Sequence, residues 1–151
     1  MLATEILTKD HRKALNLIGK LEDATDGTGS YADTFNQLET ALLAHIRAEE
    51  EIYYPALAQH EEFSDLMDDS IPEHEMVKQR LAQMGELAPS SSEFQDVLAE
   101  MKTALEAHMT REEDDIFPES ITVLGRDTIE SLGEEIERLE SDVEISRATR
   151  M

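Results

Sequence analysis

Apolar positions recur along this chain in steps of three and four. Phe35, Leu38, Leu42, His45, Glu49 and Ile52 form one such series, and Leu98, Met101, Leu105, His108 and Glu112 another. Each traces a single helical face turned toward an interior. Leu7, His11, Ala14 or Leu15, Ile18 and Leu21 make a third stripe; Ile71, His74, Val77, Leu81 and Met84 make a fourth. No segment sustains the alternation of a strand. The punctuation falls between the stripes: DGTGS at 26–30, an acidic link near 60–70, and PSSS at 89–92. Ser30 with Asp33 reads as a variant capping box, and Ser70 with Pro72 as a cap followed by a first-turn proline. These marks predict helices near 5–24, 31–58, 71–87 and 92–117, with a further amphipathic helix near 126–146. Ile129, Leu132, Ile136, Leu139 and Val143 carry that last one. The expected architecture is all-α: an antiparallel up-down-up-down four-helix bundle, with the additional C-terminal helix outside it or against a partner.

Composition narrows the chemistry. The 151 residues suit a single domain large enough to bury a core without disulfides. With no cysteine, a disulfide scaffold, a thiolate zinc site and a cysteine nucleophile are excluded. The N-terminal MLATEILTKDH has no basic segment followed by an apolar run, and no apolar stretch approaches membrane-spanning length. A cytoplasmic protein is expected. A formal net charge of −22 opposes binding to nucleic-acid phosphates or anionic lipid, whose recognition needs a basic surface. Most of the 35 carboxylates are read as a solvated coat.

Two of the stripes are copies of the other two. His11 to His74 and His45 to His108 are both separations of 63 residues, and HIRAEEEIYYP at 45–55 aligns without a gap to HMTREEDDIFP at 108–118. Each half is therefore an αα-hairpin with one histidine on its first helix and His-x-x-x-Glu on its second. The midpoint of His11 and His45 is residue 28, within DGTGS; that of His74 and His108 is residue 91, within PSSS. Residues equidistant from a turn face each other in an antiparallel hairpin. Both pairs lie roughly 25 Å from their turns at ~1.5 Å per residue. Folding the hairpins together brings His11, His45, Glu49, His74, His108 and Glu112 to one interior layer.

Burying two carboxylates costs several kcal/mol each unless a partner neutralises them, and no interior Lys or Arg is placed to do so. A histidine and a glutamate four residues later share a helical face. A carboxylate can bridge two cations while imidazoles end the coordination, so two Glu and four His suit a pair of ions. Mixed nitrogen and oxygen ligation with open positions favours iron or manganese over structural zinc. The ferritin-like arrangement needs Glu three residues before His. Those positions here are Thr8, Leu42, Ile71 and Leu105, so it fails at every histidine. His60 lies outside the repeat and is read as a surface residue.

Asp10-His11, H-x-x-x-E-E at 45–50 ending in YYP, Glu73-His74, and H-x-x-x-E-E at 108–113 ending in IFP resemble the hemerythrin-like HHE cation-binding family. The resemblance covers residues 5–118 and extends over a single domain of 1–151 with its C-terminal helix. It implies a non-haem di-iron centre, two iron ions with an oxo or hydroxo bridge, held by His11, His45, Glu49, His74, His108 and Glu112. Family members bind O2, sense oxygen or redox state, or react with peroxide or nitric oxide. This chain departs from the oxygen carriers, which have an H-x-x-x-H pair on the third helix. The residues four before and four after His74 are Ser70 and Lys78, and Ile46 stands where some relatives place a carboxylate. One iron is thus expected to lack an imidazole, with Glu73, Glu75, Tyr53 and Tyr54 as secondary candidates for the position.

Three functions remain open. The leading one is binding or sensing of O2 at the centre. The second is a redox enzyme that consumes peroxide or nitric oxide there, and the third an iron-responsive module whose final helix contacts another protein.

Overall fold

The computed structural model describes residues 1–26 and 31–149. The proposed cap Ser30 and most of the DGTGS turn lie outside the described residues. Helix α1 (Ala3–Glu22) is followed by a 3-10 turn (Asp23–Asp26) and by α2 (Ala32–Ala48). A π-helical turn (Glu49–Tyr53) carries α2 into α3 (Tyr54–Ala58), and a second 3-10 turn (Glu61–Phe63) leads to α4 (Leu66–Met84). Helix α5 (Ser92–Arg111) continues through another π-helical turn (Glu112–Ile116) into α6 (Phe117–Leu124), and α7 (Arg126–Thr149) closes the chain. There is no strand among the described residues, and no helix is long and apolar enough to cross a membrane.

The two hairpins pair α1 with α2 and α4 with α5, and α1–α5 and α2–α4 contacts close the four-helix bundle. The apolar stripes divide into two clusters. One, at the hairpin-turn end, gathers Leu17, Ile18, Leu21, Leu38, Leu81, Met84, Phe94 and Leu98. The other gathers Leu7, Tyr53, Tyr54, Leu57, Phe63, Phe117, Ile129 and Ile136. Each fully buried Leu or Phe contributes roughly 1.5–3 kcal/mol by leaving water. The histidine layer separates the two clusters.

One expectation is corrected. Helix α4 begins at Leu66, so Ser70 is not its cap, and Pro72 lies inside it. Pro72 has no N–H for the Asp68 carbonyl, but Asp68 is exposed and water can take that acceptor. Leu66, Ser70 and His74 are buried along one face and hold the helix through the proline. The C-terminal helix extends from Arg126 to Thr149 and lies on α1 and α2 of its own chain. Ile129, Leu132, Ile136 and Val143 are buried as expected and Leu139 packs, partly buried, against the same cluster, while the neighbouring Glu140 approaches Asp10 and His45.

Gly133 explains how α7 comes so near. A Cβ built there would meet the Met1 carbonyl oxygen at 2.1 Å and the Ala3 nitrogen at 2.9 Å, both backbone atoms. Gly133→Ala must push α7 off the N-terminus. It is expected to cost about 1–3 kcal/mol and to lower the melting temperature by roughly 3–10 °C at a few degrees per kcal/mol. An unchanged thermal transition would show that the contact is not needed.

Candidate metal centre

The structure brings all six expected side chains together. His11, His45, His74 and His108 are buried, and Glu49 and Glu112 have no exposed surface. Glu49 Oε1 lies 3.4 Å from His45 Nε2, 3.0 Å from His74 Nε2 and 3.7 Å from His108 Nε2. Glu112 Oε1 lies 3.1 Å from His11 Nε2 and 3.3 Å from His108 Nε2. Donor atoms of His11, His45, Glu49 and Glu112 sit within 4.8 Å of one another, and so do those of Glu49, His74 and His108. Glu49 belongs to both groups, as a bridging carboxylate would.

Every imidazole turns its Nε2 inward because a carboxylate holds its Nδ1. Asp10 takes His45 at 2.8 Å and Glu73 takes His108 at 2.8 Å. Glu50 takes His74 at 2.7 Å and Glu113 takes His11 at 2.7 Å. These four acids are themselves pairs of the repeat, since 10 and 73, and 50 and 113, are each separated by 63 residues. The acid before the first histidine serves the second histidine of its own half. The acid after the inner glutamate crosses to the other half. Such outer carboxylates fix ring orientation and raise the basicity of the inner nitrogen, the usual surroundings of metal-binding histidines.

The donor set fits a cation better than it fits itself. His45 Nε2 and Glu49 Oε2 are buried with no hydrogen-bond partner, an arrangement costly enough to need an occupant. Burial works against charge on His108, yet the hydrogen bonds its ring donates to Glu112, Glu49 and Glu73 push its pKa up to about 12. Burial likewise opposes charge on His45, and the Glu49 charge with the Asp10 hydrogen bond raises it well above the usual range. Both shifts have the same origin, two buried carboxylates that call for positive charge in this layer.

Tyr54, a secondary candidate from sequence, reaches the middle of this layer. It is fully buried, and its hydroxyl donates to Glu112 Oε2 at 2.6 Å and Glu49 Oε1 at 3.0 Å. The same oxygen is 3.4 Å from His108 Nε2 and 3.5 Å from His74 Nε2. Its ring stacks on His74 with centroids 5.6 Å apart and planes at 17°. Burial, then the charges of Glu49 and Glu112, raise its pKa well above that of a free phenol. In an α-helix the residue five after Glu49 would point about 140° away from it at 3.6 residues per turn. The π-helical turn removes that offset: the Tyr54 N–H bonds the Glu49 carbonyl, five residues back. The second half repeats the device, with the Phe117 N–H on the Glu112 carbonyl. Pro55 and Pro118 follow, each unable to supply an α-helical hydrogen bond four residues back.

Phe117 is the repeat counterpart of Tyr54 and stacks on His11, centroids 5.8 Å apart and planes at 14°. It has no hydroxyl. The layer is therefore symmetric in histidines and glutamates and asymmetric in one phenol, on the His74–His108 side. Ser70, one of the two positions four residues from His74, is buried beside the Tyr54 hydroxyl and accepts a hydrogen bond from Arg111 at 3.3 Å. Of the other secondary candidates, Tyr53 donates to Ser120 at 2.8 Å, and Glu75 is exposed and bonds Lys78. Glu73 serves His108 from outside. His60 is half-buried and outside the layer.

An enclosed cavity of about 150 Å³ adjoins all four histidines, walled by Leu42, Ile46, Val77, Leu105 and Met109. Its lining is apolar apart from the imidazoles and Glu73. A larger groove between α2 and α7 is open and lies away from the histidines.

Residues 2–144 match the family model of the hemerythrin HHE cation-binding domain. A DNA nickase from a Nostoc species is 26% identical over 140 residues, which cover 93% of this chain and 39% of that protein. The chain thus spans about two-fifths of the length of this curated relative. No solved structure matches.

Proposed function

This chain belongs to the hemerythrin HHE cation-binding family, and from that premise we propose that it holds a dinuclear non-haem iron centre that binds or senses O2. His11 and His45 would end the coordination of one ion, and His74 and His108 that of the other. Glu49 and Glu112 would span both. The observation that carries the reading is the apolar cavity of about 150 Å³ at the four imidazoles, roomy enough for a diatomic or peroxide ligand and smaller than the pockets that hold a sugar or nucleotide. Iron bound there would supply the reversible electron transfer that O2 chemistry requires. The chain's own part is to orient four Nε2 atoms, to exclude bulk water with Leu42, Ile46 and Val77, and to present the Tyr54 hydroxyl beside both carboxylates.

Tyr54 favours a second reading, consumption of a peroxide. A phenol held against two carboxylates can release or accept a proton at its oxygen while the ligand is processed, and reversible carriage has no need of that step. DNA cleavage is not carried over from the Nostoc relative, because a net charge of −22 opposes docking on a phosphate backbone.

Metal analysis of protein from iron-replete cells should give two irons per chain. The reduced protein should change its visible spectrum on meeting air and recover when O2 is removed. Irreversible bleaching, with sustained turnover of added peroxide, would move the assignment to the second reading. Absence of iron would sink both.

A further inference from the structure

The four outer carboxylates are alike toward the histidines and unlike behind. Arg111 grips Glu73 at 2.6 and 2.9 Å, Arg12 pairs with Glu113, and Lys78 stands 4.0 Å from Glu50. No Lys or Arg pairs with Asp10 among the described residues. It shares hydrogen bonds with His45 and with Glu140 of α7. One donor atom from each of Asp10, His45 and Glu140 lies within 4.8 Å of the other two. Glu140 is half-buried on α7 between the buried Ile136 and Val143, beside Leu139 of the apolar stripe. No donor reaches its buried Oε2, the situation of a carboxyl that carries its own proton.

We propose that Glu140 is a positioning residue for His45, acting through Asp10, so that the C-terminal helix is a working part of the metal centre. A neutral carboxyl donates one hydrogen bond to Asp10 and fixes its rotamer without cancelling its charge. Asp10 therefore keeps its full pull on the His45 Nδ1–H, whereas Glu73, Glu113 and Glu50 divide theirs with a cation. His45 becomes the most strongly polarised of the four imidazoles, and Gly133 sets the approach of α7 that makes this possible.

The inference rests on the metal-centre reading, and the experiment separates the two. Wild type, Glu140→Gln, Glu140→Leu and Glu140→Ala are loaded with ferrous iron, assayed for bound iron, and followed as a chelator withdraws it. Gln keeps a donor toward Asp10; Leu fills the apolar line without one; Ala removes the group with least bulk. Outer partners of metal ligands typically change affinity by about 10–100-fold. One layer further out, Leu and Ala are expected to release iron several-fold faster, and Gln within about twofold of wild type. In the metal-free proteins, Leu and Ala should move the ring NMR signals of His45 while those of His11, His74 and His108 stay. Equal iron loss in all four proteins, equal acceleration by Gln and Leu, or all four histidines shifting together would overturn the proposal. If wild type binds no iron, the metal-centre reading fails, and the ring signals still judge the Glu140–Asp10–His45 link.

Discussion

Stripping the metal from the loaded protein is expected to lower its melting temperature by roughly 8–16 °C and to leave the chain folded; the size follows from about 4 kcal/mol for a ligand at a thousand times its dissociation constant and about 2–4 °C per kcal/mol in a domain of this length. The chain survives because the layer has a substitute for the cations. Glu49 and Glu112 are fully buried, and unpaired they would disrupt the core, but His45 and His108 hold protons that neutralise them. Such pairs regain only part of the desolvation cost, and they leave His45 Nε2 and Glu49 Oε2 without partners. Metal satisfies both atoms.

The same substitution makes loading proton-linked. Both imidazoles have pKa values raised in the metal-free fold, and each must lose its inner proton before Nε2 can bind. Loading at neutral pH therefore releases protons, and affinity falls as the solution is acidified. Titration calorimetry in buffers of different ionisation heat measures the release. Equal melting temperatures for loaded and chelated samples, with metal content verified, would show that the layer holds itself together.

The repeat made most of the centre legible. Equidistance of two histidine pairs from two turns placed four rings at one level, and the structure brings these rings and both glutamates within contact. The outer acids were equally available, since Asp10 with Glu73 and Glu50 with Glu113 obey the same spacing. What periodicity concealed was Tyr54. A reading in steps of three and four runs from Glu49 to Ile52 and assumes an α-helix, but Ile52 is only partly buried while Tyr53 and Tyr54 are fully so. The signal was the proline ten residues after His45 and after His108, which forbids a regular hydrogen bond where the helix widens. Glu140 was hidden differently. Leu139 fills the apolar stripe and packs against the core as expected, so nothing in the periodicity marks the neighbouring carboxyl, which only the packing of α7 on α1 and α2 brings to Asp10 and His45.

Tyr54→Phe tests the asymmetry of the layer most sharply, because it turns the first half into a copy of the second, where Phe117 stands. The ring and its stacking on His74 remain, and only the hydroxyl is lost. In the metal-free protein, Glu112 Oε2 loses a 2.6 Å hydrogen bond and Glu49 Oε1 a 3.0 Å one, both buried. Leaving buried acceptors short of a donor costs about 1–3 kcal/mol, so the metal-free form should melt roughly 3–10 °C lower. The loaded protein should change more. Bound cations reverse the electrostatics that keep the phenol protonated, since its high pKa comes from burial and from the charges of Glu49 and Glu112. If the phenol oxygen binds ferric iron, its intense visible absorption disappears in Tyr54→Phe while two irons are still retained. Peroxide turnover, where it depends on a proton at that oxygen, should fall by about 10²–10⁴-fold, the usual contribution of a positioned acid or base. O2 binding that depends on the cavity alone should persist. An unaltered spectrum and unaltered peroxide kinetics would make Tyr54 a packing residue that shields two carboxylates, and the two sides of the layer would then be equivalent in chemistry as they are in histidines.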